Sequence, residues 1–295
     1  MKIFRRPSSL LDAARTQPIE TGTVEWTREL NDALSLSEET GRPVFALFQE
    51  VPGCAGCKQF GADVLSNPHV VEAIEREFVP LLIHNNAGGR DAEVLQAFGE
   101  PAWNYHVVRF LDSSGADIID RRDRVWKTGP LLARMVAALE VAGREVPDHI
   151  RLLEQEHSEF LDEAFLAQPC FWVGEMEIGQ IEGVVLTEAG FMHGHEVTRV
   201  LFDRRALMLD DLYEQAARRN VASAVFSDSD ALTRLSRKAS TKTTGRYRKA
   251  PASDQKRQLG RNVTGSYTES QLTKLNAFSR TRRGDADRFL FPSQR

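Results

Sequence analysis

Three cysteines hold the most reactive chemistry in this 295-residue chain, and their spacing divides them into a pair and a single. The pair is Cys54-Ala55-Gly56-Cys57. A thiolate attacks disulfides, and a second thiol one helical turn away can resolve the mixed disulfide that results. The single is Cys170, followed by Phe171, Trp172 and, soon after, Glu175. It stands where a strand should end and a helix begin, and the unpaired N–H groups and dipole of a helix N-terminus stabilise a thiolate. A nucleophilic thiol beside two large aromatics, in a chain that also carries a dithiol, points to a redox cycle. A closed zinc site needs four ligands, usually Cys or His. The chain has no second CxxC, so for Cys54 and Cys57 redox chemistry ranks ahead of zinc, and zinc ahead of inert thiols. Neither a metal nor a cofactor is expected, and His193 and His195 read as solvated residues of a Gly-containing loop.

The elements around the pair follow from periodicity. Trp26, Leu30, Ala33 and Leu34 recur at helical spacing before Gly41-Arg42-Pro43. Val44 to Gln49 is short, apolar and bounded by breakers, which predicts a buried strand ending just before the CxxC. Asn67-Pro68 opens a helix through Val71, Ile74 and Phe78, and Val79 to Ile83 is the next buried strand. A short helix over Asp91 to Phe98 follows. Val107 to Leu111 and Ala116 to Asp120 should pair as a hairpin around Ser113-Ser114-Gly115. Leu131 to Ala142 is a helix stopped by Gly143. This succession, with a CxxC straight after a buried strand, resembles the thioredoxin-like proteins over roughly residues 24 to 143. Cys54 would be the exposed, attacking thiol at the helix start, and Cys57 its buried resolving partner. Where thioredoxin has a cis-proline before its third strand, this chain has His106, and Pro101 comes several residues early. Ala55-Gly56 stands where thioredoxin has Gly-Pro.

In the second half, His149 to Leu161 reads as a polar helical connector. Strands are predicted at Ala164 to Ala167, Val184 to Phe191, Val197 to Phe202 and Ala222 to Phe226, with helices over Phe171 to Ile181 and Leu209 to Arg219. That order is an α+β plait of ferredoxin-like type. Cys170-Phe171-Trp172 with Glu175, Gly183-Val184, Thr187 to Phe191 and the strand Glu196 to Asp203 together resemble the A-type peptide methionine sulfoxide reductases, over roughly residues 160 to 227. A sulfoxide is reduced when a thiolate attacks its sulfur while an acid protonates the oxygen, leaving a cysteine sulfenic acid and free methionine. Cys170 would attack, and Phe171 and Trp172 would hold the S-methyl group by burial and dispersion. A carboxylic acid raised in pKa by burial would supply the proton. The resemblance gives that role to Glu196, with Glu175 as the local alternative, and it alone implies the S stereochemistry. The family's long Tyr-bearing loop is replaced by Gly190 to His195, Val221 stands where a tyrosine would be, and Pro169 replaces a glycine. No later resolving cysteine exists, so within this chain only Cys54 or Cys57 could resolve a Cys170 sulfenic acid.

Length and composition fit about two globular domains: 41% of residues are hydrophobic and 27% charged. The expected division is a thioredoxin-like domain over 1–148, a reductase-like domain over 149–230, and a basic, partly disordered tail over 231–295 with a terminal helix that begins at the capping-box pattern Thr268-Glu269-Ser270-Gln271. A helix is also possible over Asp228 to Ala239. The overall fold class is thus α/β plus α+β. The tail carries 16 Lys+Arg against 4 Asp+Glu, a net of +12, which leaves −16 on the remainder. It reads as solvated, as binding an anionic partner or as docked on the acidic body, and the first and last are favoured because it holds no nucleic-acid motif. No apolar run approaches the ~20 residues that span a bilayer, the N-terminus has no secretory core, and three cysteines are no disulfide scaffold, so a reducing cytoplasm is expected. The expected function is reduction of methionine-S-sulfoxide, free or in oxidised proteins, with the CxxC as internal reductant or with thioredoxin or another external thiol as donor. The alternatives are a thioredoxin-like thiol–disulfide oxidoreductase and a non-enzymatic redox sensor or scaffold on a degenerate reductase fold.

Overall fold

The computed structural model describes residues 17–102, 106–228, 240–242, 245–259, 265–281 and 285–295. The chain forms two compact units, Met1–Val146 and Pro147–Arg295. No helix among the described residues is long and apolar enough to cross a membrane. The helix considered over Asp228 to Ala239 lies, apart from Asp228, outside the described residues.

The first unit opens with a 3-10 turn, Ile19–Thr21, and helix α1, Leu30–Thr40, which ends on the left-handed Gly41. Strand β1 (Val44–Gln49) is followed by α2 (Ala55–Asp63), α3 (Pro68–Glu77), β2 (Val79–His84), α4 (Arg90–Ala97), β3 (Val107–Leu111), β4 (Arg122–Asp123) and α5 (Thr128–Val141). The sheet order is β2-β1-β3-β4, with β1 parallel to β2 and antiparallel to β3. All six residues of β1 are buried because helices cover both faces, which is why its sequence runs apolar without alternation. Phe45, Phe78 and Phe110 pack edge to face or tilted, with centroids 5.4–6.2 Å apart. Each fully buried phenylalanine contributes about 1.5–3 kcal/mol. The expected hairpin differs from the observed one. Ala116 to Asp120 makes only an isolated bridge, Leu111 to Asp117, and the returning strand is β4, pairing with Val107 and Val108. The Asp112 carboxylate accepts the N–H groups of Ser114 and Ala116 and holds that stretch as a turn.

The second unit begins with α6 (Asp148–Glu156) and continues as β5 (Leu161–Ala167), α7 (Phe171–Gly179), β6 (Val184–Met192), β7 (His195–Asp203), α8 (Leu209–Arg218) and β8 (Ala224–Phe226). The strand order in this core is β6-β7-β5-β8, with all neighbours antiparallel. Period-2 alternation sorts the side chains of β5. Ala164 and Leu166 pack with α7 and α8, while Phe165 and Ala167 lie in a second cluster with Met192, Val197 and Phe226. The basic C-terminal segment completes the unit. Strand β9 (Ser240–Lys242) extends the sheet beside β8, and β10 (Arg248–Lys249) pairs with β6. Helix α9 (Glu269–Ala277) starts at Thr268, whose hydroxyl accepts Gln271 N–H while the Gln271 side chain accepts Thr268 N–H. Lys274 of α9 reaches inward and donates from Nζ to Gly179 O (2.9 Å) and Val184 O (2.6 Å).

Candidate functional site

β1 delivers the chain to the thiol pair. After Gln49 the loop Glu50 to Gly53 contains a cis Val51–Pro52 peptide and leads to Cys54, the N-cap of α2. The loop is clamped from two sides. Asn86, just after β2, accepts Val51 N–H (3.1 Å) and donates to Pro52 O (3.2 Å). The buried Glu20 accepts Gly53 N–H at 2.9 Å, and the Gln49 side-chain amide donates to the Glu20 carbonyl. The turn that carries Glu20 packs so tightly on α2 that a Cβ at Gly61 would stand 1.9 Å from Ile19 O, so only glycine fits there.

Cys54 is exposed and Cys57 is buried, with their Sγ atoms 3.3 Å apart. The backbone N–H of Cys57, above all, lowers the Cys54 pKa, assisted by the Cys57 thiol and the N–H of Gly56. Burial, then the neighbouring Cys54 sulfur, pushes Cys57 up to about 11. Glu50 completes a cluster: a carboxylate oxygen and the two Sγ atoms all lie within 4.8 Å of one another. Trp126 walls the other side, and a Cβ on Gly56 would meet its ring at 3.1 Å. His106, at the start of β3, is fully buried between Phe60 (centroids 4.2 Å, stacked) and Trp126 (4.0 Å, edge-on). Burial lowers its pKa to about 4, so it is neutral, and its Nε2–H donates to Val125 O at 3.1 Å. Phe60, His106 and Trp126 thus form an aromatic cluster beside the thiol pair.

In the second unit Cys170 is the N-cap of α7 and is half-exposed. Glu196 of β7 is bonded to the residues on both sides of it. The Glu196 carbonyl accepts Gln168 N–H (3.1 Å) and its carboxylate accepts Phe171 N–H (3.0 Å). The structure therefore brings Cys170 and Glu196 to one helix start. Glu175 is placed differently: fully buried, it accepts Lys256 N–H at 2.7 Å and pairs with Lys256 Nζ at 3.4 Å. Burial raises its pKa, against the opposing pull of Lys256. Phe171 packs in a cluster with Ala189 and Ala250, and Trp172 and Phe191 lie against it. The guanidinium of Arg257 lies 4.9 Å over Trp172, and that of Arg248 4.4 Å over Phe191. Val221 is a buried core residue. Tyr247, in the C-terminal segment, shares its single O–H between a Glu188 carboxylate oxygen (2.9 Å) and Ala189 O (3.1 Å). Its ring lies over Gly190, where a Cβ would be 2.2 Å away. His193 and His195 face Phe226, with centroids 5.1 and 6.3 Å away.

Sequence reasoning missed Glu20, Glu50, Asn86, Trp126, Tyr247 and Lys256, which act across distant chain segments or lie in the C-terminal segment. Of these, Glu50 had a signal, since it follows the predicted strand Val44 to Gln49 and lies four positions before Cys54.

A thioredoxin-like family model matches residues 25–113. No curated protein matches the chain. Among solved structures, a thioredoxin from Thermus thermophilus is similar at 22% identity, covering 41% of this chain and 90% of its own, with a TM-score of 0.35. A DsbH oxidoreductase is similar at 15% identity, covering 42% of this chain and 90% of its own, with a TM-score of 0.34. Residues 25–113 form a thioredoxin-like domain, and the thiol pair within it fits a thiol–disulfide oxidoreductase.

Proposed function

We propose that the chain is a thiol–disulfide oxidoreductase whose working pair is Cys54 and Cys57. The supporting observation is the asymmetry of that pair: an exposed thiol of lowered pKa at a helix start, 3.3 Å from a buried thiol held at about 11. The Cys54 thiolate attacks one sulfur of a partner disulfide, and the other sulfur leaves as a thiolate. Once Cys54 is bound in the mixed disulfide, its charge and hydrogen bond no longer hold up the Cys57 pKa, and burial alone remains of the three largest causes. Cys57 then loses its proton and attacks Cys54 Sγ. The second partner thiolate is released, the Cys54–Cys57 disulfide forms, and two electrons have passed to the partner. Reduction of a fluorescent disulfide peptide tests this. Wild type should turn over with dithiothreitol, and Cys57→Ser should accumulate a mixed disulfide at Cys54. A Cys54→Ser variant as active as wild type would exclude the assignment.

A second reading rests on a separate observation, the Glu196 carboxylate bonded to Phe171 N–H beside Cys170. In this reading the β-α-β-β-α-β core is a ferredoxin-like plait of the A-type methionine sulfoxide reductases. Cys170 attacks the sulfoxide sulfur, Glu196 protonates the leaving oxygen, and Phe171 and Trp172 receive the methyl group. The resulting sulfenic acid and a dithiol, Cys54–Cys57 or an external one, give back the thiol, a disulfide and water. Turnover of a methionine sulfoxide peptide with dithiothreitol, lost in Cys170→Ser, is the expected result. Equal turnover in that variant removes this reading and leaves the first intact.

A further inference from the structure

The dithiol has a neighbour that disulfide exchange does not use. Glu50 follows β1 directly, and its carboxylate lies with both Sγ atoms in one group, every ligand atom within 4.8 Å of the others. The two sulfurs are 3.3 Å apart. In a zinc tetrahedron, Zn–S bonds of about 2.3 Å and Zn–O bonds of about 2.0–2.2 Å set ligand-to-ligand edges of roughly 3.5–3.8 Å. The sulfurs stand slightly inside their edge and the carboxylate oxygen lies no more than 4.8 Å from either, so small side-chain rotations would bring all three donors onto one ion. The donor set is two sulfurs and one carboxylate, which suits a borderline-soft dication rather than magnesium or calcium. Burial is graded across the group: Cys57 is buried, Glu50 half-buried and Cys54 exposed. An ion held there would be gripped from the protein side, with its fourth position open to solvent, the arrangement of a reactive rather than a structural zinc site.

We propose that reduced Cys54 and Cys57, with Glu50 as third ligand, form a Zn²⁺ site. Binding displaces one proton from each thiol to solvent, forms two Zn–S bonds and one Zn–O bond, and moves no electrons. The disulfide consumes both sulfur ligands, so metal loading and disulfide exchange exclude each other, and the bound ion masks the pair. The site needs the two thiols reduced and does not depend on their turning over a substrate, so it stands or falls apart from the exchange reading.

The test uses the full chain carrying Cys170→Ser, so that the pair supplies the only thiols. The reduced, metal-free protein is titrated with Co²⁺, read by its tetrahedral d–d bands and thiolate charge-transfer absorption, and with Zn²⁺ in competition with a chromophoric chelator. One ion per chain should bind, with the charge-transfer intensity of two thiolates. Glu50→Gln, shown folded by circular dichroism, should weaken Zn²⁺ binding by about tenfold or more, and Glu50→Asp should recover part of the loss. Oxidation of the pair should abolish binding. Equal affinity of wild type and Glu50→Gln, Co²⁺ spectra with fewer than two thiolates, or binding that survives oxidation would overturn the site.

Discussion

The Glu20 carboxylate accepts the N–H of Gly53 at 2.9 Å, one residue before the exposed Cys54. Glu20 lies outside residues 25–113, in a turn that packs on α2, yet it fixes the loop that presents the thiol. Removing the acceptor leaves a partly buried donor without its partner, at a cost of about 1–3 kcal/mol. Glu20→Ala should lower the stability of the first unit by that amount in urea denaturation and slow disulfide exchange by Cys54. Glu20→Gln keeps an acceptor oxygen and should recover most of both. A Glu20→Ala protein as stable and as fast as wild type would show that Asn86 alone holds the loop.

The two thiols should label at very different rates. With Cys57 held at about 11, roughly one molecule in 10⁴ carries its thiolate at pH 7, against a few per cent for an ordinary thiol. A more basic thiolate is also more nucleophilic, which returns about tenfold. Even if Cys54 were an ordinary thiol, it should react with iodoacetamide some 20-fold faster, and its lowered pKa and exposure widen the gap. Peptide-level mass spectrometry of reduced protein at pH 7 measures this. Comparable rates would remove the asymmetry on which the exchange reading stands.

The fold is legible where side chains report their own surroundings. β1 reads as Val-Phe-Ala-Leu-Phe because both of its faces are covered, and Thr268 to Gln271 spells its own cap. What failed depended on partners far along the chain. The hairpin was misplaced because β4 is polar and only two residues long, so no alternation marks it. The C-terminal segment showed a net charge of +12 but no period. Its order comes from long-range bonds that no local pattern encodes: Lys256 to Glu175, Tyr247 to Glu188 and Lys274 to the carbonyls of Gly179 and Val184. Cys170 and Glu196 could be paired before the fold was seen only through the family resemblance, since 26 positions separate them.

The two glutamates of the second unit should separate by kind of effect. Glu196 stands at the helix start beside Cys170, whereas Glu175 is buried against Lys256. On the sulfoxide-reductase reading proposed above, Glu196→Gln should keep the fold and slow sulfoxide turnover by about 10²- to 10⁴-fold, the range for loss of a general acid. Glu175→Gln retains an acceptor for Lys256 N–H but leaves the ammonium buried without its counter-charge, at a cost of up to about 3–5 kcal/mol. It should lower the melting temperature and spare the turnover of the folded fraction. If Glu175→Gln loses turnover at full stability, the acid is Glu175.

Lys274 makes the stability of the second unit depend on pH in a stated direction. Burial, with a smaller push from Arg288, lowers its pKa from 10.5 to about 7. In the unfolded chain the ammonium keeps its ordinary value, so between about 7 and 10.5 the unfolded state holds more protons than the folded one. The free energy of unfolding therefore rises with pH across that window, by an amount on the order of a few kcal/mol. Below about 7 both states are charged and the full burial penalty stands; above 10.5 both are neutral and it is gone. The neutral amine still has two N–H groups, enough for its two acceptors, Gly179 O and Val184 O, so deprotonation relieves the charge without breaking the bonds. Urea midpoints read from hydrogen exchange in peptides spanning 179–184, corrected for the intrinsic pH dependence of exchange, should climb from pH 7 to pH 10 in wild type. Lys274→Met has no ammonium to titrate. The difference between the two proteins isolates the lysine from other groups that titrate in the window, and it should grow with pH in favour of wild type. A difference that stays flat from pH 7 to pH 10 would mean that Lys274 keeps its charge throughout and is held by its two carbonyls as a cation.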